Sequence, residues 1–396
     1  MSRESSRVGL VEELTRGGYL SPAWRDAFTR VDRKQFIPDR VWIRSDDGYR
    51  PLNRTTDPDR WYALVYRDQA LVTQVEDDGP DTALIPSSSA SMPRVVATML
   101  DALAVADGQT ALEIGTGTGY NAALLSERLG DRHVVSIEVD PLVADTARAN
   151  LKSAGYFPTV LTGDGGLGAS AYAPYDRVIV TCALHRVPYP LVEQTAPGGA
   201  IVLPWGTGLY NGVLLRLTTG DDGTASGPVV GDSAFMWNRS ETPHRDVMAT
   251  VKEQERTTAT RTRLDPRLVF GDENAAFTAG ILVPDCRHSV GHGPDGEFTL
   301  WLADHASGSW ASVDFVPDAA EYASRQRGPR TLWGEVEAAY AWWQNAGSPD
   351  RTRYGLTVNA AGQRLWLDNP DTLVPERRQG APAAADTPLP RTREAT

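Results

Sequence analysis

Three carboxylates and three glycines near the middle of the chain have the types and spacing to hold a nucleotide-like ligand. Glu113-Ile-Gly115-Thr-Gly117-Thr-Gly119 lies between an apolar, strand-like run and a helical one. Glycine there removes the Cβ that would keep a ligand off the backbone, and a helix N-terminus offers unpaired N–H groups. A dinucleotide loop wants its third glycine one position later, where this chain has Tyr120, so the NAD pattern is broken. Glu138 follows Gly115 by 23 residues, close to the spacing at which an acidic side chain meets ribose hydroxyls. Asp164, in Gly163-Asp164-Gly165, adds a carboxylate able to accept from an exocyclic adenine amine. Such a set suits an adenosyl ligand that has no phosphate and carries a positive centre.

Other groupings invite chemistry and are read as structural. Cys182 and His185, with Asp176 nearby, resemble part of a nucleophilic or metal site, but they follow a buried strand. Cys286, His288 and His292 sit in a Gly-rich stretch with no fourth ligand, and a loop with solvated histidines is expected. Arg325, Arg327 and Arg330 read as a solvated charge run, and Trp342-Trp343 as core, with a peptide-docking surface as the alternative. No metal is expected. The serine run Ser87-Ser-Ser-Ala-Ser91 is expected to cap a helix from Met92 to Ala104, with Pro93 in its first turn.

The elements that must position these residues alternate between two rhythms. Residues 8–37 predict two short helices, with Ser21-Pro22 at the start of the second, and Pro38 to Arg67 an irregular elaboration. Ala70 to Val75 reads as a strand entering the acidic loop Glu76–Asp81. From Ala111 onward, strands at 111–114, 133–137, 159–161, 176–180 and 200–203 alternate with helices at 121–129 and 141–153, which predicts a parallel sheet covered on both faces. Runs at 212–218 and 227–237 flank Asp221-Asp-Gly223 and predict an antiparallel hairpin at the sheet edge. The fold expected is therefore α/β, a doubly wound, Rossmann-like sheet with an antiparallel edge hairpin, followed by a C-terminal α+β domain. In that domain 269–284, 298–303, 310–316 and 354–367 read as strands and 333–344 as a helix. The expected divisions are 1–84, 85–239, 240–375 and a disordered tail, 376–396.

Composition closes off several function classes. The chain has 396 residues, 39 Lys and Arg against 51 Asp and Glu, and a formal charge of −12, a poor match to nucleic acid. Two cysteines cannot build a disulfide framework or a four-thiolate zinc site, and a reducing cytoplasm fits that usage. No apolar run reaches the length of a membrane span, and Met1 to Arg7 lacks the apolar core of a signal peptide, so no membrane partner is expected.

Longer segments resemble one family. Ala111 to Ala123, Thr162-Gly-Asp-Gly165, Ala173 to Thr181 and Ala196 to Pro204 are similar to the protein-L-isoaspartate O-methyltransferases. The likeness reaches back through Tyr66 to Leu71, Ser89 to Pro93 and Val31 to Pro38, and forward to about Arg239. By that resemblance, S-adenosylmethionine is held by Glu113, Gly115, Thr116, Gly117, Gly119, Glu138, Val139, Asp164 and Gly165, while Ser91 and Ser89 meet the substrate carboxylate. The sequence departs from the repair enzymes at Ile85-Pro-Ser-Ser88 and Cys182 to Pro188, and in its long C-terminal part, which they are expected to lack. This long form looks like the branch associated with ribosomal peptide biosynthesis, including graspetides, lanthipeptides and lasso peptides. The implied reaction methylates an Asp side chain in a cyclised precursor peptide and leads to an aspartimide. General isoaspartate repair, a peptide-binding scaffold with an inactive methyltransferase domain, and methylation of a small metabolite are the alternatives.

Overall fold

The computed structural model describes residues 6–46, 48–76, 84–241, 246–252 and 256–375. The segment 376–396 and most of the acidic loop lie outside these residues. Helices α1 (Arg7–Arg16) and α2 (Pro22–Arg30) form as expected; Ser6 caps the first, and Pro22 opens the second without a side-chain cap from Ser21. Their apolar faces, including Leu10, Leu14, Trp24 and Phe28, are buried.

The stretch read as irregular is ordered. It forms strands β1 (Arg40–Ser45) and β2 (Gly48–Asn53), paired antiparallel, and helix α3 (Pro58–Val65), which Asp57 caps. Its half-exposed hairpin lacks a full apolar alternation, which is why periodicity did not reveal it. Strands β3 (Leu71–Glu76) and β4 (Ile85–Ala90) complete a four-stranded sheet in the order β2-β1-β3-β4. The serine run is therefore strand, not cap. Helix α4 (Pro93–Leu103) begins after Met92, with no side-chain cap, because the serines pair along β3 instead.

The central sheet runs through β5 (Ala111–Ile114), α5 (Tyr120–Leu129), β6 (Val134–Glu138), α6 (Pro141–Ala154), β7 (Thr159–Thr162), β8 (Tyr175–Val180), α7 (Tyr189–Glu193), β9 (Thr195–Gly206), β10 (Asn211–Thr219) and β11 (Ala225–Asp232). Strands β5–β9 pair parallel with one another, and β10 and β11 are added antiparallel beyond β9. Two apolar clusters, one containing Leu100, Leu124 and Leu125 and the other Val178, Leu203 and Leu215, make its core.

The C-terminal part contributes β12 (Thr258–Thr262), α8 (Pro266–Phe270), α9 (Glu273–Leu282), β13 (Arg287–His292), β14 (Phe298–Asp304), β15 (Ser309–Phe315), β16 (Tyr322–Arg327), α10 (Leu332–Asn345), β17 (Tyr354–Asn359) and β18 (Gly362–Leu367). Residues 269–284, read as strand, are mostly helical: Asp265 and Asp272 cap two helices, and the alanine-rich segment after Asp272 favours that state. The Gly-rich stretch at 287–292 is a strand, and Arg325 and Arg327 lie on another. Five strands form a sheet in the order β12-β16-β15-β14-β13. The last two do not join it. Strand β17 pairs with β11, so the central sheet has nine strands and the expected edge hairpin is interior. Phe277 of α9 packs edge-on against Trp205, Tyr210 and Tyr354, tying both parts together.

Candidate active site

Parallel sheets open a crevice beyond the carboxyl ends of their strands. Here the chain leaves β5 at Ile114, and the N–H groups of Gly115 and Thr116 bond the Ile137 carbonyl at 2.8 and 3.2 Å. Gly115 has φ +92° and lies so close to Thr181 that an added Cβ would stand 2.6 Å from its Oγ1. Glu138, at the end of β6, accepts from Gly117 N–H at 2.8 Å and from Asp140 N–H at 3.1 Å, which fixes the loop's curvature. Asp164 accepts from Gly166 N–H at 2.8 Å.

Beneath the loop runs a buried polar chain. Thr116 Oγ1 meets Ser136 Oγ at 2.6 Å, Ser136 donates to Glu113, and Asn121 Nδ2 donates to Glu113 Oε1 at 2.7 Å. Burial pushes the Glu113 carboxyl up to about 7, against the lowering effect of its Ser136 and Asn121 hydrogen bonds.

These groups surround a cavity of about 140 Å3. Gly115, Thr116, Gly117, Glu138, Val139, Asp164 and Gly165 line one side. Residues 87–91 and 235–239 line the other, so Ser89 and Ser91 do face the glycine loop across it. Glu113 and Gly119 are not in the lining: Glu113 is a fully buried support under the loop, and Gly119, at φ +97°, starts α5.

The opposite wall is assembled from distant segments. Alternation along β4 buries Ser88, which accepts from Thr73 Oγ1, and leaves Ser87 and Ser89 on the other face. Among the described residues neither Ser89 nor Ser91 has a side-chain hydrogen-bond partner. Behind them the buried Arg33 guanidinium donates to the carbonyls of Val65, Arg67, Gln69, Ala90 and Ser91, from 2.7 to 3.3 Å. Burial lowers its pKa to about 10. After β11, residues 235–239 cross the cavity as a strap, held by Ala183 N–H to Met236 O at 2.8 Å, Asn238 N–H to Ala183 O at 2.9 Å and Asn211 Nδ2 to Phe235 O at 2.8 Å. Arg239 donates to Gln74 and Asp140, and Ser87 donates to Gln74. Burial would raise the Asp140 carboxyl, but its bonds from Gln74, Val143 and Leu142, with Arg239 beside it, hold it below the usual range.

Comparison with known proteins gives the family of the chain. Residues 55–237 match the family model for protein-L-isoaspartate(D-aspartate) O-methyltransferase. A protein-L-isoaspartate O-methyltransferase of Hyperthermus butylicus is 34% identical over 235 residues, which cover 57% of this chain and 85% of the relative. One from Methanopyrus kandleri is 34% identical, covering 58% and 93%. The chain belongs to the protein-L-isoaspartate O-methyltransferase family. It is therefore an S-adenosylmethionine-dependent carboxyl methyltransferase. A Methanosarcina mazei relative is 44% identical over 149 residues, and this chain spans 60% of its length. A solved structure titled protein-L-isoaspartate O-methyltransferase aligns with a TM-score of 0.52 and 21% identity over 92% of this chain and all of its own. That likeness of fold runs well past residue 239. A long C-terminal part thus lies within the fold shared with that one structure.

The residues present fit the methyl donor. The loop is closed to side chains at Gly115, two carboxylates line the cavity, and Asn121, also in the lining, has a buried Oδ1 with no protein partner, free to accept from an amine. The other groupings do not act here as sites. Cys182 lines the cavity, but burial, then Glu138 and Glu241, push its thiol up to about 12. His185 bonds the Gly206 carbonyl and stacks on Trp205, while Asp176 holds Thr110. Among the described residues no cluster of metal ligands occurs, and Cys286 is buried. Arg330 is no solvated charge: it pairs with the buried Asp304 and Glu335. Trp343 is core, its indole bonded to the Pro349 carbonyl. No helix among the described residues is long and apolar enough to cross a membrane.

Proposed function

We propose that this methyltransferase esterifies the side-chain carboxylate of an Asp in a cyclised ribosomal peptide, and that the ester then closes to an aspartimide. The reading is carried by the two hydroxyls, Ser89 and Ser91, that stand without protein partners across the cavity from the donor cradle. When bound, S-adenosylmethionine supplies a methyl group on a positive sulfur. An Asp carboxylate is already ionised near neutral pH, so its attack needs no general base. The lining contains neither His nor Lys, and burial keeps its one thiol protonated. What the chain must supply is position: Ser89 and Ser91 hold the oxygen that does not react, while the rigid loop and the strap keep the other in line. Esterification replaces a poor leaving group by methoxide. The next residue's amide nitrogen then bonds the ester carbon as the carbon–oxygen bond breaks, and its proton leaves with methanol.

Two departures from the repair pattern support a changed acceptor, because Ser87, Ser88 and Cys182, which belong to them, all line the cavity. Repair of isoaspartyl residues is the second reading, favoured by the names of the relatives and by the reach of the structural likeness. Incubation with S-adenosylmethionine and matched peptides separates the two. Mass spectrometry should show a methyl gain and then methanol loss on a constrained Asp peptide. Turnover of linear isoaspartyl peptides with no preference for the constrained Asp would overturn the proposal in favour of repair.

A further inference from the structure

Trp237 lines two cavities. One is the methyl-transfer cavity; the other, of about 410 Å3, lies between the strap and the C-terminal part. We propose that this second cavity receives the stretch of acceptor polypeptide next to the methylated residue, so that the C-terminal part recognises substrate directly. The inference rests on the reading of the acceptor as a polypeptide.

Continuity carries it first. The strap that roofs the methyl-transfer cavity continues into Glu241, whose carboxylate accepts from the N–H groups of His185 and Arg186 at 2.7 and 3.1 Å and which lines the second cavity. The same short segment, 183–186, thus anchors the partition at both ends. Size carries it next. The first cavity must take the donor and one acceptor side chain, so the peptide backbone has to leave it, and the second cavity shares the Trp237 wall with it. Chemistry completes the case. The second lining is mostly apolar surface with both signs of charge set in it: the Arg186 guanidinium and the Asp285 carboxylate face it without hydrogen-bond or ion-pair partners among the described residues. Apolar walls and an indole, with a guanidinium and a carboxylate set among them, suit a peptide's mixed side chains together with its carbonyls and N–H groups.

Ala306 is exposed on the turn after β14 and lines this cavity, so Ala306→Trp fills the space without disturbing a core. With S-adenosylhomocysteine present, it should weaken binding of an accepted peptide of about ten residues by roughly 10-fold, measured by calorimetry. Binding of the same acceptor trimmed to one residue on either side, and of S-adenosylhomocysteine itself, should not change. A photoreactive phenylalanine three or four positions from the methylated residue should crosslink to 246–250 or 303–306. Equal effects on long and short peptides, no effect on either, or crosslinks confined to 85–91 and 235–239 would overturn the proposal. Whether the accepted residue is Asp or isoaspartate is read from the short peptides alone, so that question fails or stands separately.

Discussion

The two walls of the cavity are built in opposite ways. The donor wall comes from one contiguous stretch, β5 to the start of α6, with Asp164 added, and its shape is set by backbone bonds and a buried polar chain. The acceptor wall gathers an edge strand, a strap that follows β11, and one buried arginine from the turn after α2. A wall made of local spacing holds one fixed ligand. A wall made of remote pieces offers several places at which it can change, although Arg239 and Gln74 tie it to Asp140 beside the glycine loop.

The sharpest way to break this contrast is at Arg33. Its guanidinium is the shared partner of five carbonyls, so Arg33→Met should leave them unsatisfied and cost about 3–5 kcal/mol, seen as a large drop in Tm. A change under about 1 kcal/mol would mean the acceptor wall holds itself together. Glu113 tests the donor wall. Its folded pKa of about 7 is raised above an ordinary 4.5, so the folded state binds more protons and stability falls as pH rises between those values. Glu113→Gln should remove that slope, worth up to about 3 kcal/mol, in denaturant unfolding from pH 4.5 to 7.5. Next comes Asp164→Ala, expected to weaken donor affinity by about 10- to 100-fold in calorimetry, with the Tm little changed. Smallest is Ser91→Ala, which should lower kcat/KM for the acceptor by about 10-fold and leave donor affinity alone. If Ser91→Ala weakened donor binding as much as Asp164→Ala does, the two walls would not be separable.

How far the molecule could be read before its structure follows the same division. Gly115, Gly117, Glu138 and Asp164 were legible because strand–loop–helix units put chemistry at fixed offsets, and those residues do line the cavity. Glu113 lies one layer beneath the lining, and a motif says that a residue is needed, not whether it touches the ligand. Arg33 and Arg239 were invisible as site residues: one lies within a quoted motif but works through distant carbonyls, and the other meets partners 99 and 165 positions away. The serine run shows a competing principle winning, as pairing with β3 overrode its capping preference. In the C-terminal part, α9 was read as strand because its apolar run has no helical stripe; it is buried nearly all round.

The ladder between β11 and β17 bears on how this protein can be cut. A gene fragment ending near residue 240 would leave the Ala225–Pro228 ribbon as a raw seam, its peptide groups open to stitching onto another copy. Clumping of such a fragment would report a torn fabric and carry no information about catalysis.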